Sequence, residues 1–226
     1  MKIPEIFLEI RSILDIFATI STVPRCSGNE AKMASWLRRW AREQGFESFV
    51  DRAGNVVIRV PASPGREQAP TLILQNHMDM VCEKDPASCH DFSRDPLQLI
   101  VEGDWLRADG TSLGADDGLG MAIALALAAD ENLLHPELEL LFTVEEETGL
   151  AGAQKLESSL LRGRRLVNID SEKEGVFTIG CAGGENIHLE LPVTREPLPA
   201  DWVAATVTVG GLRGGHSGMD IAKGRG

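Results

Sequence analysis

The sequence predicts an α/β fold, in which helices cover the faces of a β-sheet. Three segments, 71–76, 137–144 and 164–170, contain the apolar runs that are typical of buried strands. Helical patterns separate them at 121–130 and 150–161, and the first of these is apolar on most sides. A strand, helix, strand, helix, strand order is typical of a sheet with helices packed on it.

Two helices are predicted before the first of these strands. The first is an amphipathic helix, whose apolar residues recur at helical spacing: Ile6, Ile10, Ile13, Leu14 and Phe17. Charged residues interrupt this segment, which excludes the unbroken apolar centre of a signal peptide. Ser27 or Asn29 can cap the second helix, which is predicted to continue to about Gln44 and to end at Gly45.

The predicted helices are followed by a candidate β-hairpin, with strands at 46–51 and 56–60. A long irregular stretch is expected at 83–103, with a short strand near Trp105. The strand at 164–170 is then followed by a change in composition.

The composition shift after Gly183-Gly184 predicts a domain boundary. We therefore expect a first domain over 1–184 and the beginning of a second domain over 185–226. The second domain is expected to contain alternating strands at 186–193 and 202–211, without helices between them.

Charge and cysteine content limit the classes of function. The 22 Lys and Arg residues against 34 Asp and Glu residues give a net charge of -12, which disfavours nucleic-acid and anionic-membrane partners. No run is long enough for a membrane span. The cysteines follow no metal-binding spacing, so we expect reduced thiols in a cytoplasmic protein: Cys26, Cys82, Cys89 and Cys181.

Acidic residues and one histidine follow the three predicted strands. His77 and Asp79 follow the first strand, residues 145–147 are all glutamate, and Asp170 ends the third strand. Parallel strands would bring these groups to one sheet edge, where ligands bind in open α/β sheets. Asp116 lies in a glycine-flanked loop before the apolar helix and can reach the same edge.

A cluster of carboxylates at one edge requires neutralisation by protons, a basic side chain or a metal ion. An imidazole with several carboxylates suits zinc, or manganese or cobalt in its place. Each of these acidic groups alone is typical of a solvated turn. The hypothesis of a metal site rests on their joint occurrence after three strands and in one loop. The nucleotide-binding glycine patterns are absent from the sequence, which excludes the usual phosphate loops.

Five ordered motifs resemble the M20 metallopeptidases, in particular the aminoacyl-histidine dipeptidase branch. They are "NHMDMV", "GTSLGADDGLGMA", "FTVEEETGLAGA", "NIDSEKEG" and "GGHSG". The resemblance implies a zinc-peptidase-like sheet sandwiched by helices, followed by an inserted α+β lid or dimerisation domain. It also implies two Zn²⁺ ions per complete active site, with Co²⁺ or Mn²⁺ as possible substitutes, dipeptide substrates and a homodimer formed through the lid domain.

The resemblance also implies the metal ligands, which are His77, Asp116, Glu147 and Asp170. Asp116 would bridge the two ions, His77 and Asp170 would complete the first site, and Glu147 would bind the second ion. Asp117 corresponds to a position where relatives can carry Asn, so we do not expect it to be a ligand. The peptide bond after the bridging aspartate is expected to be cis.

The resemblance also implies catalytic or positioning roles for three further residues. Glu146 would be the general base, and Asp79 would hydrogen-bond and orient the His77 imidazole. His216 would be the lid histidine that binds substrate and stabilises the oxyanion. Glu145 is expected to be a bystander.

The sequence departs from the family in its length and in one ligand. Family members are longer, and the histidine ligand of the second zinc has no counterpart here, since His188 and His216 do not match that position. We therefore expect a fragment with little activity alone. The alternatives are another M20 amidohydrolase (an aminoacylase or tripeptide aminopeptidase), a non-catalytic metal-binding or dimerisation remnant, and an α/β domain with surface acids.

Overall fold

The computed structural model describes residues 10–171, 175–180, 187–197, 199–214 and 221–225. The chain divides into two compact units, of which the first reaches Val176 and the second begins at Phe177. The boundary predicted from the sequence at Gly184 lies outside the described residues, as does His216.

The first unit combines helices with a five-stranded sheet and a two-stranded sheet. Its helices are α1 (Arg11–Ile20), α2 (Ala31–Glu43), α3 (Ala115–Ala129) and the single turn α4 (Ala151–Gln154). Its strands are β1 (Glu47–Val50), β2 (Val56–Val60), β3 (Leu72–His77), β4 (Leu99–Glu102), β5 (Trp105–Ala108), β6 (Leu138–Thr143) and β7 (Arg165–Asn168). No helix among the described residues combines the length and apolar composition needed to cross a bilayer.

The order of strands in the larger sheet is β1-β2-β6-β3-β7. β3 is parallel to both of its neighbours, and its Leu74 pairs with Leu140 of β6 and Val167 of β7. The hairpin strands β1 and β2 are antiparallel to each other, and β2 is antiparallel to β6. The predicted parallel arrangement of the three strands is confirmed, so their carboxyl ends lie at one edge.

Both faces are covered at the central strands β2, β3 and β6, whereas the edge strand β7 is exposed at all four of its residues, so the expectation of a buried strand there is wrong. One buried cluster joins α1, α2, α3 and the sheet, with Phe17, Leu37, Leu125, Leu140 and Phe142 among its members. A smaller cluster contains residues that alternate with these along the strands, namely Val57, Ile73 and Leu141, and it packs against Leu156, Leu160 and Leu161. The predicted helix-covered α/β sheet is therefore confirmed, and β6 is buried throughout because both of its faces are covered.

Three other local predictions in the first unit are wrong. The stretch 83–103, expected to be irregular, contains β4, which pairs with β5. The helix expected at 150–161 is only the single turn α4 and a 3₁₀ turn at Ser158–Leu160. The backbone N–H of Glu157 donates to Asp51 (3.2 Å), and this tertiary hydrogen bond diverts the chain from helical geometry. At the start of α2 the cap residue is Glu30, not Ser27 or Asn29, and its side chain makes no cap hydrogen bond.

The prediction of four reduced cysteines is also wrong, because Cys26 and Cys82 form a disulfide across 56 residues. Cys26 pairs with Met80 in an isolated parallel bridge, so the loop before α2 lies beside the loop after β3. This proximity comes from the tertiary fold and leaves no spacing signal in the sequence. Cys89 is free and exposed, and Cys181 lies outside the described residues.

The second unit contains a 3₁₀ turn at Ile221–Lys223. The strands predicted at 186–193 and 202–211 do not occur at the residues of those ranges that the structure describes. Their apolar side chains are exposed there, including Leu189 at 89% and Val207 at 88%. An alternating pattern forms a stable strand only where neighbours take its hydrogen bonds and cover its apolar face. The assignment of this unit to a lid domain stays a prediction.

Candidate metal centre

The end of β3 places a buried imidazole at the carboxyl edge of the sheet. His77 is 1% exposed, and its backbone N–H donates to Asp117 Oδ2 (3.0 Å). The His77 Nδ1 atom lies 3.3 Å from Asp79 Oδ1, while Nε2 points the other way and lies 2.9 Å from Asp116 Oδ1. One nitrogen therefore lies next to the Asp79 carboxylate without a well-directed hydrogen bond to it, and the other faces the remaining acidic groups.

Asp79 connects three segments of the site. Its carboxylate accepts hydrogen bonds from Ser27 Oγ (2.8 Å) and from the backbone N–H groups of Glu146 (3.0 Å) and Glu147 (3.2 Å). Burial raises the pKa of this carboxyl, but the adjacent His77 imidazole and these hydrogen-bond donors outweigh burial and lower the pKa to about 2. Asp79 is thus an anion that fixes the loop after β6 relative to His77.

Among the described residues, two sets of side chains that share His77 are close enough together to hold a metal ion. One set consists of His77, Asp116 and Asp170, and the other consists of His77, Glu146 and Glu147. Within each set, the possible ligand atoms all lie within 4.8 Å of one another. Asp170 Oδ1 lies 3.9 Å from His77 Nε2, and the Asp116 side chain is 59% exposed, so the centre opens to solvent.

The electrostatics of the centre favour a bound cation. Burial, together with the charge of Asp117, raises the pKa of Asp170 to about 7, and burial raises the pKa of Glu147 as well. Burial lowers the pKa of His77, but the hydrogen bond with Asp116 and the nearby carboxylate of Asp79 outweigh burial and raise the pKa to about 11. Positive charge is therefore stabilised here, and a set of imidazole and carboxylate donors fits zinc.

The segment at the start of α3 has an irregular backbone, in which the Asp116 side chain is exposed and Asp117 is buried. The Asp116–Asp117 peptide bond is cis, as the resemblance implied, and neither residue has helical backbone angles. Asp117 is buried and accepts a hydrogen bond from Asn76 Nδ2 (2.9 Å) as well as from the His77 backbone. It belongs to neither of the two sets of possible ligands.

The structure brings together six of the seven residues predicted for the site, which are His77, Asp79, Asp116, Glu146, Glu147 and Asp170. The seventh, His216, lies outside the described residues. Their individual roles stay predictions.

Sequence reasoning missed three buried polar residues that hold the site together. Arg25 donates to the backbone carbonyls of Met78 and Asp79, directly after His77. The Glu30 carboxylate accepts from the backbone N–H groups of Gly28 and Glu145 (both 3.0 Å), which ties α2 to the loop after β6. Asn55 accepts from the Val144 backbone N–H (3.1 Å) at the end of β6. Asn55 follows Gly54 in a turn sequence, which gives no sign of burial.

Comparison with known proteins places this arrangement in a family. The model of peptidase family M20/M25/M40 matches residues 73–208, which include His77, Asp116, Glu146, Glu147 and Asp170. The chain belongs to this family. The M20 resemblance stated from the five motifs is therefore confirmed.

This M20 chain is similar to two dipeptidases. It is 44% identical to the cytosol non-specific dipeptidase of Escherichia coli K12 over 219 residues, which are 97% of this chain and 45% of the relative. It also matches the crystal structure of an aminoacylhistidine dipeptidase from Vibrio alginolyticus with a TM-score of 0.73 and 42% identity, covering 76% of this chain and 35% of that one. The chain thus spans less than half the length of these relatives.

A more distant similarity is to a tripeptidase from Staphylococcus aureus, with a TM-score of 0.61 and 29% identity. That match covers 71% of this chain and 43% of the other.

Proposed function

We propose that this chain is the metal-binding half of a dipeptidase that hydrolyses Xaa-His and other dipeptides. The observation that carries the proposal is the position of His77, whose imidazole is shared by two sets of carboxylates at the carboxyl ends of the parallel strands β3, β6 and β7. Its similarity to two dipeptidases at 44% and 42% identity, against 29% for the tripeptidase, favours dipeptides over tripeptides. An aminoacylase or tripeptide aminopeptidase is the alternative within the family.

Zinc is the metal that the donor set suits best, with Co²⁺ or Mn²⁺ as substitutes. His77 and Asp170 would hold one ion, Glu147 would hold a second, and Asp116 would bridge the two. When bound, the ions would lower the pKa of a water molecule and polarise the scissile carbonyl. The second ion would need a further ligand that the sequence of this chain does not match to any residue.

Side chains of this chain would transfer the proton and position the metal ligand. The Glu146 carboxylate would accept the proton of the attacking water and deliver it to the leaving amine. Asp79 would keep the His77 imidazole oriented and hold the backbone of Glu146, to which it is already hydrogen-bonded. An open cavity of about 380 Å³ adjoins the centre, with both acidic and apolar residues in its lining: Asp116, Leu119, Ile123, Ile169 and Asp170.

The second unit and the cellular setting are proposed from the resemblance and the relatives. Residues 1–184 would form the catalytic domain, and 185–226 would begin a lid that forms a homodimer. His216 would stabilise the oxyanion from this lid. The name of the Escherichia coli relative supports a cytoplasmic location, and the Cys26–Cys82 disulfide argues the other way because such bonds are rare in that compartment.

A chimera tests the proposal directly. Residues 1–226 would be joined to the part of the Escherichia coli dipeptidase that follows its matched segment, and hydrolysis of Ala-His would be measured. We expect activity that a chelator abolishes and that Glu146→Gln lowers at least 100-fold, the lower end of the usual contribution of a general base. Glu145→Gln is the matched control, since the neighbouring carboxylate belongs to neither set of possible ligands.

Activity that survives Glu146→Gln or chelation would contradict the proposed chemistry. So would a folded, zinc-loaded chimera without turnover. The chain alone is expected to hydrolyse Ala-His far more slowly than the chimera, and equal rates would contradict the account of a missing ligand.

A further inference from the structure

Arg25 is a buried cation beneath the metal centre that none of the proposed roles includes. It is 1% exposed, and it is the largest fully buried side chain in the part of the chain that the structure describes. Burial lowers its pKa to about 10, against the opposing charges of Asp117 and Asp79, so the guanidinium remains charged at neutral pH. A buried charge of this size requires specific partners.

The partners of Arg25 lie on both sides of the metal centre. The Nη1 atom donates to the backbone carbonyls of Met78 (3.0 Å) and Asp79 (2.7 Å), in the loop after β3. The Nη2 atom donates to the carbonyl of Gly114, which immediately precedes α3. One planar guanidinium therefore joins the loop that directly follows His77 to Gly114, which lies two residues before Asp116.

Two glycines make room for the guanidinium. A Cβ atom added to Gly114 would lie 2.7 Å from Arg25 Nη2, and one added to Gly118 would lie 2.5 Å from the same atom. Real Cβ atoms essentially never approach this closely, so a side chain at either position must displace Arg25. These two glycines flank Ala115, Asp116 and Asp117. Both lie next to the Arg25 guanidinium.

The segment that carries Arg25 is itself held in place. The Arg25 carbonyl accepts a hydrogen bond from the Met80 N–H (3.1 Å), and the disulfide of the next residue, Cys26, crosslinks it to Cys82. The backbone of Arg25 is thus fixed relative to the loop after β3 by contacts that do not involve its guanidinium. A change at the guanidinium therefore acts mainly on the Gly114 carbonyl before α3.

We propose that Arg25 is a positioning residue, which sets the distance between His77 and Asp116 by holding their two backbone segments with one guanidinium. This inference rests on the proposed metal centre. The geometric role of Arg25 and its positive charge have opposite effects on zinc affinity. A cation near the ligands repels a metal ion, so an Arg25 that acted only by charge would weaken zinc binding, whereas the proposed geometric role strengthens it.

The Arg25→Lys variant separates the effect of charge from the effect of geometry, because lysine keeps the positive charge but lacks the planar guanidinium that contacts both backbone segments. Zinc affinity would be measured by competition with a chromophoric chelator, and the ligand field by the absorption spectrum of bound Co²⁺. We expect affinity to fall ~10- to 100-fold, as for other groups that orient metal ligands, with an altered Co²⁺ spectrum. Arg39→Lys, at an exposed position on α2, is the control and should change neither.

Unchanged zinc affinity and an unchanged Co²⁺ spectrum in Arg25→Lys would overturn the proposal. A second variant, Gly118→Ala, keeps Arg25 and fills its space, and it should also weaken zinc binding. Its added Cβ would lie 3.0 Å from Phe17 as well, so part of its effect is independent of Arg25. If Arg25→Lys does not fold, normal zinc affinity in Gly118→Ala would by itself contradict the inference.

A double-mutant cycle on the metal-free protein provides a measurement that does not depend on zinc. The fall in the urea midpoint caused by Gly118→Ala should be smaller in the Arg25→Lys background, since the clashing Nη2 atom is absent there. Equal falls in both backgrounds would overturn the contact on which the inference depends. Absence of zinc binding by the unmodified chain would instead count against the proposed metal centre.

Discussion

Asp79→Asn should destabilise the metal-free protein by about 2 kcal/mol at pH 7, and two arguments give this value. The pKa of Asp79 falls from 3.8 to about 2 in the folded protein, which corresponds to ~2 kcal/mol of stabilisation of the carboxylate. The carboxylate also accepts from Ser27 and from the backbone of Glu146 and Glu147, and the amide would oppose one of these donors with its own NH₂ group. An unsatisfied buried donor costs ~1–3 kcal/mol.

The difference between the two proteins should depend on pH in a definite direction. Because the folded-state pKa of Asp79 is lowered, its stabilisation is present above about pH 4 and is lost as the pH falls toward 2. Urea denaturation of both proteins at several pH values measures the difference in the free energy of unfolding. We expect ~2 kcal/mol at pH 7 and a value near zero at pH 2.

Asp104→Asn is the control, since this exposed carboxylate makes no hydrogen bond or ion pair among the described residues. It should change the free energy of unfolding by less than ~0.5 kcal/mol at every pH. A difference for Asp79→Asn that is below 0.5 kcal/mol at pH 7 or that grows toward acid pH would refute the assignment of Asp79 as a buried, hydrogen-bonded anion.

Two further predictions concern stability away from the ligands. Reduction of the Cys26–Cys82 disulfide by a dithiol should lower the free energy of unfolding by ~4 kcal/mol, from the loop entropy of a 56-residue separation, while Cys89→Ser should leave the effect of the reductant intact. Equal urea midpoints with and without reductant would contradict this. Glu139→Gln should cost ~1–3 kcal/mol in the same assay, because the fully buried carboxylate accepts from the Gly163 N–H (2.9 Å) and an amide cannot satisfy all of its donors. A change below 0.5 kcal/mol would contradict the buried network.

Much of the sheet could be predicted from sequence because its strands obey simple rules. β3, β6 and β7 contain apolar runs that end in acidic residues, and parallel strands bring their carboxyl ends together. These facts predicted that His77 and Asp170 would meet, although the two residues are far apart in the chain. The motif resemblance added an expected role for each residue.

The features that could not be predicted from the sequence depend on tertiary contacts, which leave no local sequence pattern. Arg25 and Glu139 are charged residues, which are usually exposed, and only their partners make burial stable. The disulfide of Cys26 required two loops to lie side by side. The helix predicted after Leu150 was wrong for the same reason, since the hydrogen bond from Glu157 to Asp51 outweighs helix propensity.

The central claim is that the carboxyl edge of the sheet binds a metal ion through His77. The most direct measurement is the zinc content of the folded chain after dialysis against trace zinc, with circular dichroism on the same samples. Together with the unmodified chain, the variants would be His77→Ala, Asp170→Ala and, as a control at an exposed position of the second unit, His188→Ala.

We predict about one tightly bound zinc per chain, held by the near-complete first set of ligands, lost in His77→Ala and Asp170→Ala and kept in His188→Ala. A folded chain that binds no zinc, or a His77→Ala variant that keeps it, would contradict the claim.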